Sequence, residues 1–269
     1  MGRFGFAFGL VCLATLAAEA QSKGDKSLVV DHLCVDAKDN VIPADALKKA
    51  QGLRIVFGHQ SVGFDVIHGL QALSASKPAR YRLTIQPQIQ AAWFSRNAGL
   101  GEWFVGKNGD AIGKVDDFER QVRAGFGDHV DVAMMKLCYA DMTDQADPQA
   151  IFEHMREAYE GLEKDYPKVR FVWWTVPVPK PDRLTEKRTA INDLIRAYVR
   201  AHGQTLLDLA DLESHDASGK AVLHPGGGEK LDEAYSRDQG GHLNDEGGQR
   251  VGRAVWWLLA RVAGWAGSK

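Results

Sequence analysis

Apolar and polar residues alternate along the chain in a pattern that predicts strands and helices in regular succession. Short apolar runs, one of them weak, predict five strands, at 53–58, 81–86, 130–137, 169–176 and 205–209. Apolar residues that recur every three or four positions predict the helices, at 64–73, 112–122, 151–162, 191–199 and 251–262. Strands that alternate with helices imply βαβ units, a parallel sheet and right-handed crossovers.

The segments that follow the predicted strands are rich in glycine, proline and polar residues. They are residues 58–63, 88–110, 138–144, 177–181 and 211–244. In open parallel sheets, ligands bind beyond the carboxyl ends of the strands, where these segments meet. Residues 88–110 lack a clean period and are predicted to form a long functional loop. The fold and the chemistry therefore point to one edge of the sheet.

The first twenty residues do not belong to this pattern. A positive start at Arg3, an apolar run over 4–17 and a small-x-small triplet at 18–20 predict a secretory signal peptide that is cut before Gln21. The apolar run is short for a spanning helix. We therefore expect a secreted or periplasmic protein with no stable membrane insertion after cleavage, in which residues 21–269 form a single domain.

The net charge of the chain bears on whether it binds nucleic acid. The formal net charge is −2, and the chain has no long basic run, which argues against nucleic acid as the main partner. Cys34 and Cys138 remain after cleavage and can pair in an oxidising compartment, but two cysteines so far apart establish no disulfide.

Ser61 lies where the first strong strand ends and a helix begins, within His-Gln-Ser-Val-Gly at 59–63. Backbone N–H groups at a helix start are unpaired and the helix dipole favours negative charge there, so a hydroxyl at this point has an anion-stabilising site beside it. Serine also caps helices, and this stretch alone favours that simpler interpretation. A glycine-containing loop before the last helix favours a catalytic role for Ser61 instead. This loop supplies a base, His242, and a carboxylate, Asp238.

These motifs resemble the SGNH (GDSL-like) hydrolases, in which the nucleophilic serine follows the first strand and the histidine lies in a late Asp-x-x-His motif. The resemblance spans 53–262 in element order and is closest to a divergent subgroup with His-Gln-Ser-Val-Gly in place of Gly-Asp-Ser. It implies a flavodoxin-like, three-layer α/β/α fold with a mainly parallel sheet of about five strands. It also implies an esterase that uses Ser61, His242 and Asp238 and needs no cofactor or metal.

The oxyanion-binding motifs of the family are only partly present. The second block is best matched by Gly109, with Asn108 as a further donor. The third block, Gly-x-Asn-Asp, falls on Cys138, Ala140 and Asp141, so its asparagine is missing; losing one such donor typically costs about a hundredfold or more in rate. The candidate replacements are Asn108, Tyr139, Lys136 and His59.

Two further positions depart from the expected pattern. The acid of Asp-x-x-His is replaced by Gln239, and Asp238 is one residue further back, where the following glycines allow it to reach His242. Lys136 lies inside an apolar strand, which suggests a structural salt bridge to Asp141.

Export and loop aromatics favour deacetylation of a carbohydrate or another small ester, with Trp93 and Trp103 as stacking residues. Two alternatives stay open at this point, namely acyl transfer to a polysaccharide and glycan binding without catalysis. A zinc site at His59 and His242 with Asp238 or Asp110 is disfavoured, because no two histidines have the i, i+4 spacing of a zinc-binding helix.

Overall fold

The computed structural model describes residues 27–36 and 41–267, so the predicted signal peptide lies outside the described residues. Seven strands run through them: β1 (Leu28–Val30), β2 (Arg54–His59), β3 (Ile85–Pro87), β4 (Gly99–Phe104), β5 (Val132–Met135), β6 (Arg170–Trp174) and β7 (Thr205–Leu207). All neighbouring strands pair in parallel, in the order β1-β7-β6-β5-β2-β4-β3.

Helices cover both faces of this sheet, which gives the predicted three-layer α/β/α fold. They are α1 (Leu33–Asp36), α2 (Ala44–Ala50), α3 (Val62–Ser76), α4 (Pro78–Tyr81), α5 (Ala111–Gln121), α6 (Gly127–His129), α7 (Pro148–Asp165), α8 (Thr185–His202), α9 (Leu209–Glu213) and α10 (Asp245–Val262). One core lies between the sheet and α2, α3 and α10, and the other between the sheet and α5, α7 and α8. None of the described helices is long and apolar enough to cross a membrane.

The prediction of about five strands was wrong, because the sheet has seven. β4 lies inside 88–110, which was predicted to be a loop. Its residues are buried on both faces except at Phe104, so no apolar–polar alternation marks it. Gly101 leaves room for Ile89, whose Cγ1 would lie 2.4 Å from an added Cβ. β3 also begins later than predicted, because Pro78–Tyr81 forms a helical turn.

Helix boundaries follow the local signals more closely. Asp147 caps α7 and accepts hydrogen bonds from the N–H groups of Gln149 and Ala150. α8 ends at Gly203, which has a left-handed φ of 66°.

Close packing of α3 against α10 brings Ser61 and His242, which are far apart in the sequence, close together in space. Gly69 of α3 meets Gly248 of α10 so closely that a Cβ on Gly69 would lie 1.9 Å from the Gly248 carbonyl oxygen. This contact sets the start of α3 beside the segment that precedes α10. Ser61 and His242 therefore meet at the carboxyl edge of the sheet.

Candidate active site

Ser61 occupies the turn between β2 and α3 in a strained conformation. Its φ is 53° and its ψ is −116°, in a region that residues other than glycine rarely adopt. The hydroxyl makes no capping hydrogen bond to α3. Instead, Ser61 Oγ lies 2.8 Å from His242 Nε2. The capping interpretation is therefore wrong, since the strained turn directs the hydroxyl away from the helix and toward the imidazole.

Asp238 meets the other nitrogen of the same ring. His242 Nδ1 lies 2.7 Å from Asp238 Oδ2, and the N–H of Gly240 donates to Asp238 Oδ1 at 2.7 Å. Partial burial raises the pKa of Asp238, but the hydrogen bonds from His242 and Gly240 outweigh it and hold this pKa below its ordinary value. An ionised Asp238 accepts a hydrogen bond from the Nδ1–H group, which holds the tautomer whose Nε2 can accept the Ser61 proton.

The loop that carries His242 is anchored by a residue that the sequence analysis did not identify. Asp65 lies one turn into α3 and is buried. Its Oδ2 accepts the N–H of Leu243 at 3.0 Å, and its Oδ1 lies 3.0 Å from Arg237 Nη1. Asp65 thus ties the helix of the serine to the loop of the histidine. A carboxylate four residues after the serine, among apolar helix positions, is the sequence signal for this role.

Two groups beside Ser61 can stabilise an oxyanion. The backbone N–H of Ser61 has no hydrogen-bond acceptor among residues 27–36 and 41–267. The Tyr139 hydroxyl lies beside the Ser61 side chain, and its ring packs edge-on against that of His242, with centroids 6.0 Å apart. Burial, together with the charge of Asp238, raises the pKa of Tyr139, so its phenol keeps the proton that a donor needs. Tyr139 was one of the predicted replacements for the missing asparagine.

Gly109 and Asn108 do not have the predicted role. The N–H of Gly109 donates to Asp141 Oδ1 at 2.8 Å, and Asn108 Oδ1 accepts from Lys114 Nζ at 2.8 Å. Gly109 lines a different depression from the one beside Tyr139. The physical reason is a buried carboxylate nearby, which captures the N–H that the family motif assigns to an oxyanion.

That carboxylate is paired with a lysine that the sequence analysis overlooked. Lys114 Nζ lies 2.7 Å from Asp141 Oδ2, and both side chains are fully buried. Asp141 Oδ2 also accepts the N–H of Cys138 at 2.6 Å. A lysine at a core-facing position of the α5 pattern, next to Val115, was the signal for this pair.

The predicted salt bridge between Lys136 and Asp141 was wrong. Lys136 Nζ instead lies 3.3 Å from the Leu137 carbonyl oxygen and 3.3 Å from Cys138 Sγ. Both Lys136 and Cys138 are buried, and no disulfide joins Cys138 to Cys34 in the described part of the chain. Neither side chain has the exposed surface that contact with a substrate requires.

His59 is also excluded from the predicted contact with substrate. Its side chain has no exposed surface and lies under Gly63, where an added Cβ would be 2.5 Å from the ring. His59 Nε2 lies 3.0 Å from Glu102 Oε2. Burial lowers the pKa of His59, although Glu102 opposes this effect. His59 and His242 have different partners and do not form the shared zinc arrangement.

A pocket of about 500 Å³ opens near this site, and its lining stops short of Ser61 and His242 themselves. Tyr139, which contacts Ser61, and Gly240, which contacts Asp238, both line it. The predicted stacking residue Trp103 is not in this pocket; it is buried against Phe118, and its indole N–H donates to Asp117. The remaining lining residues are Ala140, Met142, Thr143, Asp144, Pro179, Pro181, Arg183, Leu184 and Arg188.

Solved structures with the same fold match most of the length of this chain. A carbohydrate esterase family 3 structure from Talaromyces cellulolyticus has a TM-score of 0.51 and 14% identity, and the match covers 78% of this chain and 98% of that one. An acetyl esterase mutant with an acetate ion gives the same values. A structure described as a lipolytic protein of the G-D-S-L family, from Desulfitobacterium hafniense DCB-2, has a TM-score of 0.50 and 11% identity and covers 78% and 99%.

Sequence comparison supplies the family. No curated protein matches the chain significantly. Residues 80–250, more than half of the chain, match the model of the GDSL-like Lipase/Acylhydrolase family. The matched range contains Asp238 and His242 but begins after Ser61. The choice of Ser61 as the candidate nucleophile therefore rests on its contact with His242. The chain belongs to the GDSL-like lipase/acylhydrolase family, and it is a serine ester hydrolase.

Proposed function

We propose that the protein removes small acyl groups, in particular acetyl groups, from esters of carbohydrates through an acyl-enzyme formed on Ser61. The observation that carries this proposal is the aligned series of contacts from Ser61 Oγ to His242 Nε2 and from His242 Nδ1 to Asp238, at 2.8 and 2.7 Å. A nucleophile, a base and an orienting acid in this order perform acyl transfer on many folds.

In the first step, Ser61 Oγ attacks the ester carbonyl carbon while His242 Nε2 takes the hydroxyl proton. Asp238 holds the imidazolium that forms. The tetrahedral oxyanion is stabilised by the N–H of Ser61 and by the Tyr139 hydroxyl. His242 then gives its proton to the leaving alkoxide as the ester bond breaks. A water molecule, deprotonated by His242, releases the acid and restores Ser61.

The exposure of the site supports water as the acceptor. The side chains of His242 and Asp238 are 30% and 40% exposed, so solvent reaches the base. Transfer to a polysaccharide hydroxyl would instead require a site that keeps water out. The position of Tyr139 beside Ser61 and the contact of Asp238 with His242 both argue for turnover rather than for glycan binding without catalysis.

The proposed acyl group and the proposed carbohydrate alcohol of the ester rest on the fold comparison and on the pocket. Two structures with a TM-score of 0.51 are described as an acetyl esterase and a carbohydrate esterase. A volume of about 500 Å³ suits a small ester better than a long acyl chain. The predicted stacking residues do not line this pocket, since Trp103 is buried and Trp93 packs against Phe94.

We also infer that the protein is exported. The inference rests on the positive start, the apolar run and the small-x-small triplet of residues 1–20. Fractionation of expressing cells, followed by sequencing of the mature N-terminus, tests it. Export predicts a periplasmic or secreted product that begins at Gln21, and an intact chain in the cytoplasm would contradict the inference.

The first experiment is hydrolysis of p-nitrophenyl acetate by the purified mature protein, beside Ser61→Ala and His242→Ala. We expect both variants to lose at least about 10³-fold in kcat, because nucleophile and base act as one unit. Acetylated xylo-oligosaccharides then test whether the enzyme hydrolyses acetyl esters of carbohydrates. Equal activity of Ser61→Ala and the wild type would overturn the mechanism.

A further inference from the structure

Arg188, on the first turn of α8, is a buried cation in the wall of the pocket beside Ser61. The residue is only 4% exposed and lines the same cavity as Tyr139 and Gly240. Its Nη2 donates to the carbonyl oxygen of Arg183 and, at 3.1 Å, to Thr185 Oγ1. These two uncharged acceptors hold the guanidinium in one orientation.

The rest of the Arg188 guanidinium is unpaired. No carboxylate within residues 27–36 and 41–267 lies at ion-pair distance from it, and its Nε and Nη1 have no acceptor there. Asp182 and Glu186 act on it only from further away. Arg183, the other arginine of the pocket, is already paired with Asp144 at 2.6 Å.

Other buried arginines of the protein show what is unusual about this one. Arg196 pairs with Asp208 and Glu229, both at 2.7 Å, and Arg250 pairs with Asp36. A buried charge without a partner is costly. Burial indeed lowers the pKa of Arg188, with Glu186 and Asp182 opposing the effect. An anion that enters from the pocket would remove this cost.

We propose that Arg188 binds a carboxylate carried by the ester substrate, so that the enzyme selects acidic esters. A guanidinium with two free N–H directions matches a carboxylate in a bidentate geometry. The cavity that holds Arg188 also reaches Tyr139 and Gly240, which lie beside Ser61 and Asp238, so a substrate bound to Arg188 can extend along the cavity toward the Ser61 hydroxyl. The inference rests on the proposed function and names the substrate class within it.

Two matched pairs of esters test the proposal on either side of the ester bond. The acyl pair is 4-nitrophenyl hemisuccinate and its neutral isostere, 4-nitrophenyl 4-methylpentanoate. The alcohol pair is 4-acetoxybenzoate and its methyl ester. In the wild type we expect kcat/KM for the acidic member of one pair to exceed that of the neutral member by about tenfold or more, as charged hydrogen bonds allow.

Substitutions at Arg188 assign the preference to this side chain. Arg188→Gln should bring the ratio of acidic to neutral kcat/KM to about one or below, and Arg188→Lys should give an intermediate ratio, because an ammonium cannot bind in the forked geometry. Arg183→Gln is the matched control, since it removes a pocket arginine that already has a partner, and it should keep most of the ratio. An unchanged ratio in Arg188→Gln would overturn the proposal.

A binding measurement separates this inference from the proposed function. Ser61→Ala should bind 4-acetoxybenzoate more tightly than its methyl ester in isothermal titration calorimetry, and Ser61→Ala/Arg188→Lys should lose most of that difference. Wild type that turns over none of the esters, p-nitrophenyl acetate included, means that the proposed function fails, while this titration still decides the role of Arg188. Equal binding of both compounds to Ser61→Ala would overturn the carboxylate site.

Discussion

Two clusters of polar residues lie at the carboxyl edge of the sheet, and they differ in how their atoms are used. In the first, Ser61, His242 and Asp238 contact one another at the mouth of a pocket, with the histidine and the aspartate 30% and 40% exposed. In the second, Lys114 and Asp141 are sealed inside, where they capture the N–H of Gly109. Both clusters contain an aspartate that contacts a nitrogen-bearing side chain, but only the first cluster is accessible to solvent.

This difference explains why the family's oxyanion motif does not carry over to Gly109. Asp141 follows the third-block pattern in sequence, yet its two oxygens already bind Lys114, Gly109 and Cys138. Once a buried carboxylate is paired and hydrogen-bonded, its partners are held for structure. Tyr139, two residues earlier on the same turn, lies beside Ser61 and is the oxyanion donor that we propose. Chemistry and structure are thus divided between adjacent residues of one short segment.

The largest expected effect tests the exposed cluster. Asp238→Asn should lower kcat by about 10²–10⁴-fold with little change in KM, because the amide no longer holds the imidazole with Nδ1 protonated. Steady-state kinetics on p-nitrophenyl acetate measures it. A variant with near wild-type kcat would show that another group orients His242. The matched control is Asp232→Asn, a half-buried loop aspartate whose side chain caps a short turn.

The buried cluster should respond in stability. Asp141→Asn leaves Lys114 as an uncompensated buried charge, which we expect to lower the free energy of unfolding by about 3–5 kcal/mol. Urea denaturation measures this loss. Asp165→Asn removes an exposed ion pair with Arg123 and should cost less than about 1 kcal/mol. Similar losses in the two variants would contradict the contrast between the clusters.

Tyr139→Phe tests where the oxyanion donor lies. We expect a loss of about 10²-fold in kcat with an unchanged melting temperature, since the ring remains and only the hydroxyl is removed. Tyr198→Phe removes a hydroxyl that is bonded to Glu160 on the surface and serves as the control. If Tyr139→Phe keeps full activity, the Ser61 N–H and another group must form the oxyanion site.

A smaller effect is expected at Asn108, on the structural side of the comparison. Asn108→Ala removes one of the acceptors of Lys114 Nζ and should cost about 1 kcal/mol in unfolding free energy. Its kcat should stay near that of the wild type. Parallel denaturation and esterase assays check both values. A large fall in kcat without a loss of stability would return Asn108 to the catalytic site.

The smallest effect is a pH dependence of stability. The pKa of Asp238 in the folded protein is held below its ordinary value of 3.8. Its contribution to the free energy of unfolding is therefore fully present above pH 3.8 and is lost as the pH falls through the folded pKa. The melting temperature of the wild type should therefore exceed that of Asp238→Asn slightly at pH 6, and the difference should shrink toward pH 3. A difference that grows on acidification would contradict this direction.

The sequence predicted the parts of the protein that depend on local pattern. The βαβ order was predicted from apolar periodicity, and the cap of α7 at Asp147 and the end of α8 at Gly203 likewise depend only on neighbouring residues. The pairing of Ser61 with His242 was also foreseeable, because the carboxyl ends of parallel strands share one edge. β4 was missed because a strand buried on both faces has no alternation to read.

By itself, the sequence determined the order of the elements and the edge at which chemistry gathers. Only the tertiary structure decided which charged residues are paired: Asp141 pairs with Lys114 and His59 with Glu102, whereas Arg188 in the pocket wall has no carboxylate partner in the described part of the chain. The physical reason is that ion pairs and burial depend on contacts between segments far apart in the chain. A residue's type and spacing do not contain this information.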